Sequence, residues 1–142
     1  MTNHASAYRD FTLPGDLASL PASREQVMEV VREHGCDEAA EFDLRIALQE
    51  ALANATLHGC GNDASKTIEC SIEVAPSRVS IVVRDPGPGF DFETTVDPDR
   101  LSGTELTNGR GIALMRGLMD EVTFARGGSA VRLSKRITCS GA

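Results

Sequence analysis

The stretch Glu50-Ala-Leu-Ala-Asn54-Ala-Thr-Leu-His58-Gly59 carries a carboxylate, an amide and an imidazole at intervals of four residues. It closes a helical pattern that starts near Asp37, a favourable N-cap, and stops at Gly59. Side chains four residues apart project from one stripe of an α-helix, so these three polar groups should share a face. The neighbouring stripe is apolar and is expected to pack on a sheet; it consists of Leu44, Ala47, Leu48, Ala51 and Ala55.

The segments on both sides of this helix have periodicities that predict the rest of the fold. Period-two alternation and short apolar runs predict strands over residues 8–13, 66–75, 79–83, 120–125 and 129–137. Helical spacing predicts two more helices, over residues 16–34 and 109–119. The order β-α-α-β-β-loop-α-β-β predicts an α/β (α+β) two-layer sandwich, in which three helices cover one face of a mixed, largely antiparallel sheet.

Length and charge narrow the class of protein. The chain has 142 residues and a formal net charge of −7, which fits one domain, residues 1–142, with a core over about residues 8–137. No Lys/Arg cluster could cover a phosphate backbone, so we expect no direct nucleic-acid partner. No run approaches the ~20 apolar residues of a spanning helix, so we expect no membrane association and a cytoplasmic location. Four cysteines without a Cys-x-x-Cys pair favour reduced structural thiols over a metal site.

A second informative segment, Asp85-Pro-Gly87-Pro-Gly89-Phe90, follows an apolar strand. A carboxylate there can accept a hydrogen bond from the exocyclic amine of adenine, which would select adenine over guanine. Gly87 and Gly89 would let the backbone pass close to the base. Taken alone, Asp-Pro-Gly is also a common turn.

The third segment is Thr107-Asn108-Gly109-Arg110-Gly111-Ile112, where a connection rich in Pro and Gly over residues 86–108 is expected to enter a helix. Free N–H groups and the positive dipole end at a helix start favour bound phosphate. Thr107 and Asn108 could cap this helix or add donors, and the glycines could also serve packing alone. A connection of this length is uncommon inside a compact domain and is typical of a functional loop, here a lid.

The polar stripe of the first segment could hold a divalent cation. The amide oxygen of Asn54 is a hard, neutral ligand suited to Mg²⁺, which retains several waters while bridging phosphates. The Glu50 carboxylate, one turn away, could orient a metal-bound water or take a proton from a hydroxyl. The same stripe on its own could be a solvated helix face. The three segments together supply the groups that a divalent cation, an adenine and a triphosphate require.

These segments resemble the N, G1 and G2 boxes of the GHKL ATPase superfamily, whose members have the Bergerat fold. The N box is similar to residues 50–59, the G1 box to residues 85–90 and the G2 box to residues 109–114. The resemblance extends over residues 17–135. Within the superfamily, the form of the N box and the Gly-x-Gly-Ile-x-Leu-Met run look most like the anti-sigma-factor serine/threonine-protein kinases of bacterial partner-switching systems.

The resemblance implies a role for each motif residue. Asn54 would bind Mg²⁺, Asp85 would bind the adenine amine, and Glu50 would be the catalytic base that activates a serine on a protein substrate. His58 would lie near the phosphates or be structural, and Ser129 stands where the family has a Thr near the adenine. The remaining nucleotide contacts would come from Gly87, Gly89, Thr107, Asn108, Gly109, Arg110, Gly111 and Ile112.

The function that the resemblance implies is the phosphorylation, with ATP and Mg²⁺, of an anti-sigma-factor antagonist on serine. Sequestration of a sigma factor and a homodimeric state are implied as well. One alternative is an ATP-binding regulatory module that controls a protein partner without kinase activity. Another is a stand-alone histidine-kinase-like ATPase domain, although no helical segment carries a phosphoacceptor histidine with a dimerisation pattern.

Overall fold

The computed structural model describes residues 6–89 and 104–138, with the backbone alone for residues 104–110. Within these ranges the strands are β1 (Ala7–Gly15), β2 (Asp63–Ala75), β3 (Arg78–Arg84), β4 (Glu121–Ala125) and β5 (Ala130–Arg136). The α-helices are α1 (Leu20–Glu33), α2 (Glu38–Asn54) and α3 (Thr104–Leu118). Short 3₁₀ turns span Leu17–Ser19 and Arg126–Gly128, and a π-helical turn spans Ala55–Gly59.

The strands form one sheet in the order β1-β2-β3-β5-β4, and every pairing among the described strands is antiparallel. Both predicted hairpins are present, because β2 pairs with β3 and β4 pairs with β5. The register aligns Ile72, Ile81 and Leu133 in one row across β2, β3 and β5. All three side chains are fully buried on the side of the sheet that the helices cover. The predicted two-layer sandwich is therefore confirmed.

The first two helices begin and end where the local chemistry favours it. Asp37 is the N-cap of α2, and its Oδ2 accepts a hydrogen bond from the backbone N–H of Ala40 at 3.1 Å. Its Oδ1 also accepts from the N–H of Thr138 at 2.8 Å, which ties the end of the described chain to the start of α2. Pro21 lies in the first turn of α1, and Gly35 follows that helix with φ +68°.

The core is aliphatic, as expected from the absence of Trp and the low aromatic content. The apolar stripe of α2 is buried as predicted, since Leu44, Ala47 and Leu48 have no exposed surface. Cys36, Cys60 and Cys70 are buried. Burial raises the pKa of the Cys70 thiol to about 12. No helix in the described ranges is long and apolar enough to cross a bilayer.

Lys135 on β5 fixes α2 and α3 over the sheet. Its Nζ donates to the carbonyl oxygen of Leu118 at the end of α3, at 2.7 Å, and lies 3.0 Å from Oδ2 of Asp43 on α2. A cation at a helix C-terminus also interacts favourably with the helix dipole. Lys135 therefore links the two helices that carry the first and third motifs, which also pack directly on each other.

The third helix differs from the sequence prediction at its start. We predicted a helix from Gly109, but α3 begins at Thr104, so Thr107 and Asn108 lie inside the helix and the predicted caps are wrong. The segment 104–108 contains no Pro or Gly, so nothing in it opposes continued helix. The predicted lid, residues 86–108, lies largely outside the described residues, which end at Gly89 and resume at Thr104.

Candidate nucleotide-binding site

A small cavity of about 10 Å³ opens between the end of α2, the end of β3 and the β4–β5 hairpin. This is far below the ~300–1,000 Å³ of typical small-molecule sites, so the described residues do not by themselves enclose a nucleotide. Three of the residues predicted for the site line it, namely Asn54, Asp85 and Ser129. The other lining residues are Ala51, Ala55, Val83, Met115, Phe124, Gly128 and Val131.

Asp85 is held at the edge of the cavity by its backbone and by a neighbouring amide. Its N–H donates to the carbonyl oxygen of Ser129 at 2.9 Å, which continues the pairing of β3 with β5 by one residue. Its Oδ1 accepts from the N–H of Gly87 at 2.8 Å. Burial raises the pKa of the Asp85 carboxyl, while the Gly87 N–H, Arg126 and His58 favour the charged form. The carboxylate still has acceptor capacity for an amine in the cavity.

Asn54 is the last residue of α2 and lies beside the same cavity. Its Nδ2 is buried and has no hydrogen-bond partner among the described residues. A buried polar group without a partner costs roughly 1–3 kcal/mol, and such a group needs an explanation in terms of strain, catalysis or a bound species. Within the described residues, the Nδ2 end of the Asn54 amide therefore has no protein partner, and the side chain lies beside the cavity.

Glu50 lies one turn before Asn54 and is partly buried, but it does not line the cavity. A Cβ built on Gly111 would lie 2.8 Å from Oε1 of Glu50, so the carboxylate packs against the α3 backbone at a position without a side chain. Burial raises the pKa of the Glu50 carboxyl. A carboxyl with a raised pKa is better suited to accept a proton near neutral pH.

His58 is in the π-helical turn, and its side chain is exposed. It does not line the cavity, but its charge is close enough to Asp85 to lower the pKa of that carboxyl. The turn is defined by a hydrogen bond from the N–H of Cys60 to the carbonyl oxygen of Ala55 at 2.9 Å. A π-turn inserted at the end of a helix is often associated with function.

Ser129 is buried at the base of the β4–β5 hairpin, and its Oγ donates to the carbonyl oxygen of Arg126 at 3.0 Å. Gly89 contacts the same hairpin. It has φ +85°, and a Cβ on it would overlap the carbonyl oxygen of Gly127 and lie 2.7 Å from its carbonyl carbon. The glycine turn after Asp85 therefore packs directly on the hairpin backbone, which only glycine allows.

The third motif was predicted to present free backbone amides at the start of a helix, but its two glycines lie inside α3. In an α-helix only the first four N–H groups lack an intrahelical partner, and Gly109 and Gly111 lie beyond that turn of α3. Ile112 is fully buried in the core. The side chains of Thr107, Asn108 and Arg110 lie outside the described set.

Sequence reasoning missed the apolar wall of the cavity. Val83, Val131 and Phe124 come from strands whose alternation predicted a buried face, without indicating which part of that face borders a ligand. One signal was present, because Val83 is two residues before Asp85 and Val131 two residues after Ser129. Apolar residues flanking polar groups on paired strands are what a cavity for a nucleobase requires.

This arrangement defines the class of protein. Helices cover one face of an antiparallel sheet, a carboxylate lies at the end of a strand, and an amide at the end of a helix lines the same cavity. A family profile described as "Histidine kinase-like ATPase domain" matches residues 13–135, and the chain belongs to this family. The superfamily resemblance predicted from the three motifs is thereby confirmed.

Two kinds of known protein show which members of this family the chain is similar to. The chain is similar to "Serine-protein kinase RsbW" of Staphylococcus aureus strains JH9 and Newman, with 33% identity over 103 residues. The match covers 67% of this chain and 65% of each relative, so the chain spans somewhat less than two thirds of their length. The crystal structure of the RsbU and RsbW domains of Rv1364c from Mycobacterium tuberculosis is similar in fold, with a TM-score of 0.64 and 21% identity. The match covers 92% of this chain and 32% of that chain.

Proposed function

We propose that this protein is an ATP- and Mg²⁺-dependent serine kinase that phosphorylates an anti-sigma-factor antagonist and otherwise sequesters a sigma factor. One observation carries the proposal: Asp85 and Asn54, whose buried Nδ2 has no partner among the described residues, line the same cavity, and Glu50 lies one helical turn from Asn54. The names of the relatives, all serine-protein kinases, support the reaction type.

The residues present fit adenine and Mg²⁺. Asp85 would accept a hydrogen bond from the exocyclic amine of adenine, and the base would lie between the apolar walls of the cavity. Asn54 would hold Mg²⁺, and when bound the ion would neutralise charge on the phosphates. Within the described residues no cluster of three or more His, Cys, Asp or Glu side chains could hold a metal alone. Proteins usually bind Mg²⁺ with a nucleotide through one or two side-chain oxygen ligands, most often carboxylates, together with phosphate oxygens and water, and here the amide oxygen of Asn54 would take the place of such a ligand.

Glu50 would act as the base. It takes the proton from the serine hydroxyl of the protein substrate as that oxygen bonds to the γ-phosphorus, and the bond to the β–γ bridging oxygen breaks to release ADP. Most of the rate acceleration in such a transfer comes from positioning and charge stabilisation, with a smaller part from the base. The partly buried position of Glu50 against Gly111 keeps the carboxylate orientation restricted.

The partners are proposed on the same basis. The substrate is an anti-sigma-factor antagonist with a phosphorylatable serine, the second partner is a sigma factor, and the protein acts as a homodimer. The lid over residues 86–108 would close over the triphosphate and couple nucleotide state to partner choice. His58 and the backbone of residues 107–111 would lie near the phosphates once that lid is closed.

The nucleotide site is tested by calorimetric titration of the purified protein with ATP and GTP, with and without Mg²⁺. We expect Mg²⁺-dependent ATP binding and rejection of GTP. Asn54→Ala should remove the Mg²⁺ dependence, and Asp85→Asn should weaken ATP binding. Asp63→Asn is the matched control, since Asp63 is exposed at the start of β2 and bonds only locally to Ser65. ATP binding by Asn54→Ala that depends on Mg²⁺ as in the parent would overturn the metal assignment.

The kinase step is tested by incubation with ATP and a purified antagonist of the same organism, followed by phosphate-affinity electrophoresis. Glu50→Gln should bind ATP but fail to phosphorylate, whereas Glu38→Gln, an exposed acid in the first turn of the same helix, should behave as the parent. Replacement of the acceptor serine of the antagonist by alanine controls for other sites. ATP binding without phosphoryl transfer by the parent protein would favour the non-catalytic regulatory module instead.

A further inference from the structure

The π-helical turn after α2 is in direct contact with the adenine-side loop through Gly59. A Cβ built on Gly59 would overlap Cγ and Oδ1 of Asp85 and would lie 2.5 Å from its Cβ. Gly87 approaches from the other side, where a Cβ would lie 2.6 Å from the Cα of Gly59. Real side chains do not tolerate such separations, so the Asp85 carboxylate occupies space that exists because positions 59 and 87 have no side chain.

The backbone on both sides of this contact is fixed. Cys60, the next residue, is buried against β1, where a Cβ on Gly15 would lie 2.6 Å from its Sγ. The N–H of Cys60 is bonded to Ala55, at 2.9 Å. The main chain of Asp85 is bonded to Ser129 at 2.9 Å. Rotation of the Asp85 side chain would move its Cγ and Oδ1 away from a methyl group added at position 59, but not its Cβ, so the backbone at Asp85 would have to shift as well. Both movements would disturb the hydrogen bond from the Gly87 N–H to the Asp85 carboxylate.

We propose that Gly59 is a specificity-determining residue of the nucleotide site: it sets the position of the Asp85 carboxylate and thereby the preference for adenine. Gly59 does not line the cavity, so it is a positioning residue. It lies five residues after Asn54, at the far end of the π-helical turn, so one short segment connects the proposed Mg²⁺ ligand to the residue that contacts Asp85. The inference rests on the proposed function, since it assigns adenine recognition to Asp85.

The test compares Gly59→Ala with Gly117→Ala by calorimetry with Mg-ATP and Mg-GTP. Gly117 is a sound control because it lies in α3, and a Cβ on it would meet no atom within 4 Å among the described residues beyond its chain neighbours and its own helix backbone. For Gly59→Ala we expect ATP affinity to fall at least tenfold and the ratio of ATP to GTP affinity to fall towards one. Gly117→Ala should keep both. A Gly59→Ala protein with the parent ratio would overturn the inference, whereas failure of the parent protein to bind ATP would overturn the proposed function and the inference with it.

A stability measurement without nucleotide separates a local clash from a general folding defect. The melting temperatures of Gly59→Ala, Asp85→Gly and the double variant form a cycle in which the Asp85 side chain is present or absent. If the added methyl group acts on that side chain, the effect of Gly59→Ala should fall by at least half in the Asp85→Gly background. If Gly59→Ala alone does not fold, the double variant should recover folded protein. Equal losses in both backgrounds, or failure of the double variant to recover, would overturn the inference.

Discussion

Replacement of Glu25 by glutamine should weaken the junction between α1 and α2 in a pH-dependent manner. The Glu25 carboxylate on α1 accepts from Nε of Arg24 at 2.8 Å and from Nη1 of Arg32 at 3.0 Å. It also accepts from Nε and Nη2 of Arg45 on α2, both at 3.2 Å. These bonds outweigh the cost of burial and lower the pKa of Glu25 from 4.5 to about 2. One acid therefore joins the two helices, and α2 carries Glu50 and Asn54.

The size of the effect follows from that pKa. Fully converted into folding free energy, the difference between 4.5 and about 2 corresponds to ~3.4 kcal/mol. The Glu25 side chain is 39% exposed, so screening by water reduces this, and we expect Glu25→Gln to cost about 1–1.5 kcal/mol at pH 7. Because the folded pKa is depressed, the contribution is fully present above pH 4.5 and is lost as the pH falls through 2. At pH 3 roughly two-fifths of it should remain.

Urea denaturation of the parent and of Glu25→Gln at pH 7 and at pH 3 measures this contribution. The matched control is Glu29→Gln on the same helix, since Glu29 pairs with Arg32 at 2.8 Å and its side chain is 59% exposed. We expect the control to cost no more than ~0.5 kcal/mol at either pH. A destabilisation by Glu25→Gln that equals that of Glu29→Gln, or that is unchanged at pH 3, would refute the reasoning.

Two further substitutions and one thiol reagent test other parts of the structure. Leu44→Ala removes a side chain with no exposed surface from the contact of α2 with the sheet, and should lower the free energy of unfolding in urea by about 2–5 kcal/mol. Asp85→Asn removes a carboxylate whose pKa is raised by burial, so the variant should melt at or above the parent temperature at pH 7, and the difference should shrink as acid protonates the parent. Cys70, 2% exposed and with a pKa of about 12, should react with a thiol reagent at pH 8 only when the protein unfolds; rapid reaction of the native protein would contradict its burial.

The sequence predicted those elements in which local preference and tertiary packing agree. Asp37 is of a residue type that favours an N-cap, and it is followed by acids and by an apolar stripe. In the structure it is the N-cap of α2. The alternation over residues 66–75 and 79–83 fixes one apolar face, because a slip of one residue would expose it. The observed register follows that face, with Cys70 opposite Val83 and Val74 opposite Val79.

The parts that could not be predicted are those where backbone geometry overrides residue preference. The glycine pair at 109 and 111 suggested a helix start, but glycine inside a helix costs only about 1 kcal/mol each, and the packing of Ile112 and Met115 in the core outweighs that. Likewise, no residue type marks a π-turn, so the contact of Gly59 with Asp85 has no signal in the sequence. From the sequence alone, Gly59 is recognised only as the residue that ends a helix.

The electrostatics of the chain support the proposed site independently of any motif. Glu25 and Asp37 have lowered pKa values because each bonds to donors supplied by the fold. Glu50 and Asp85 have raised pKa values because burial is not offset by a bonded cation. A protein with a net charge of −7 gains no stability from burying two such carboxyls, and perturbed acids of this kind cluster where a function requires them. The two are also the acids for which the resemblance implies roles in catalysis and in adenine binding. Asn54 connects them, because it lies one helical turn after Glu50 and lines the same cavity as Asp85. A bound nucleotide with its cation would supply the missing donors and positive charge together, so ligand binding should offset a cost that the protein carries alone.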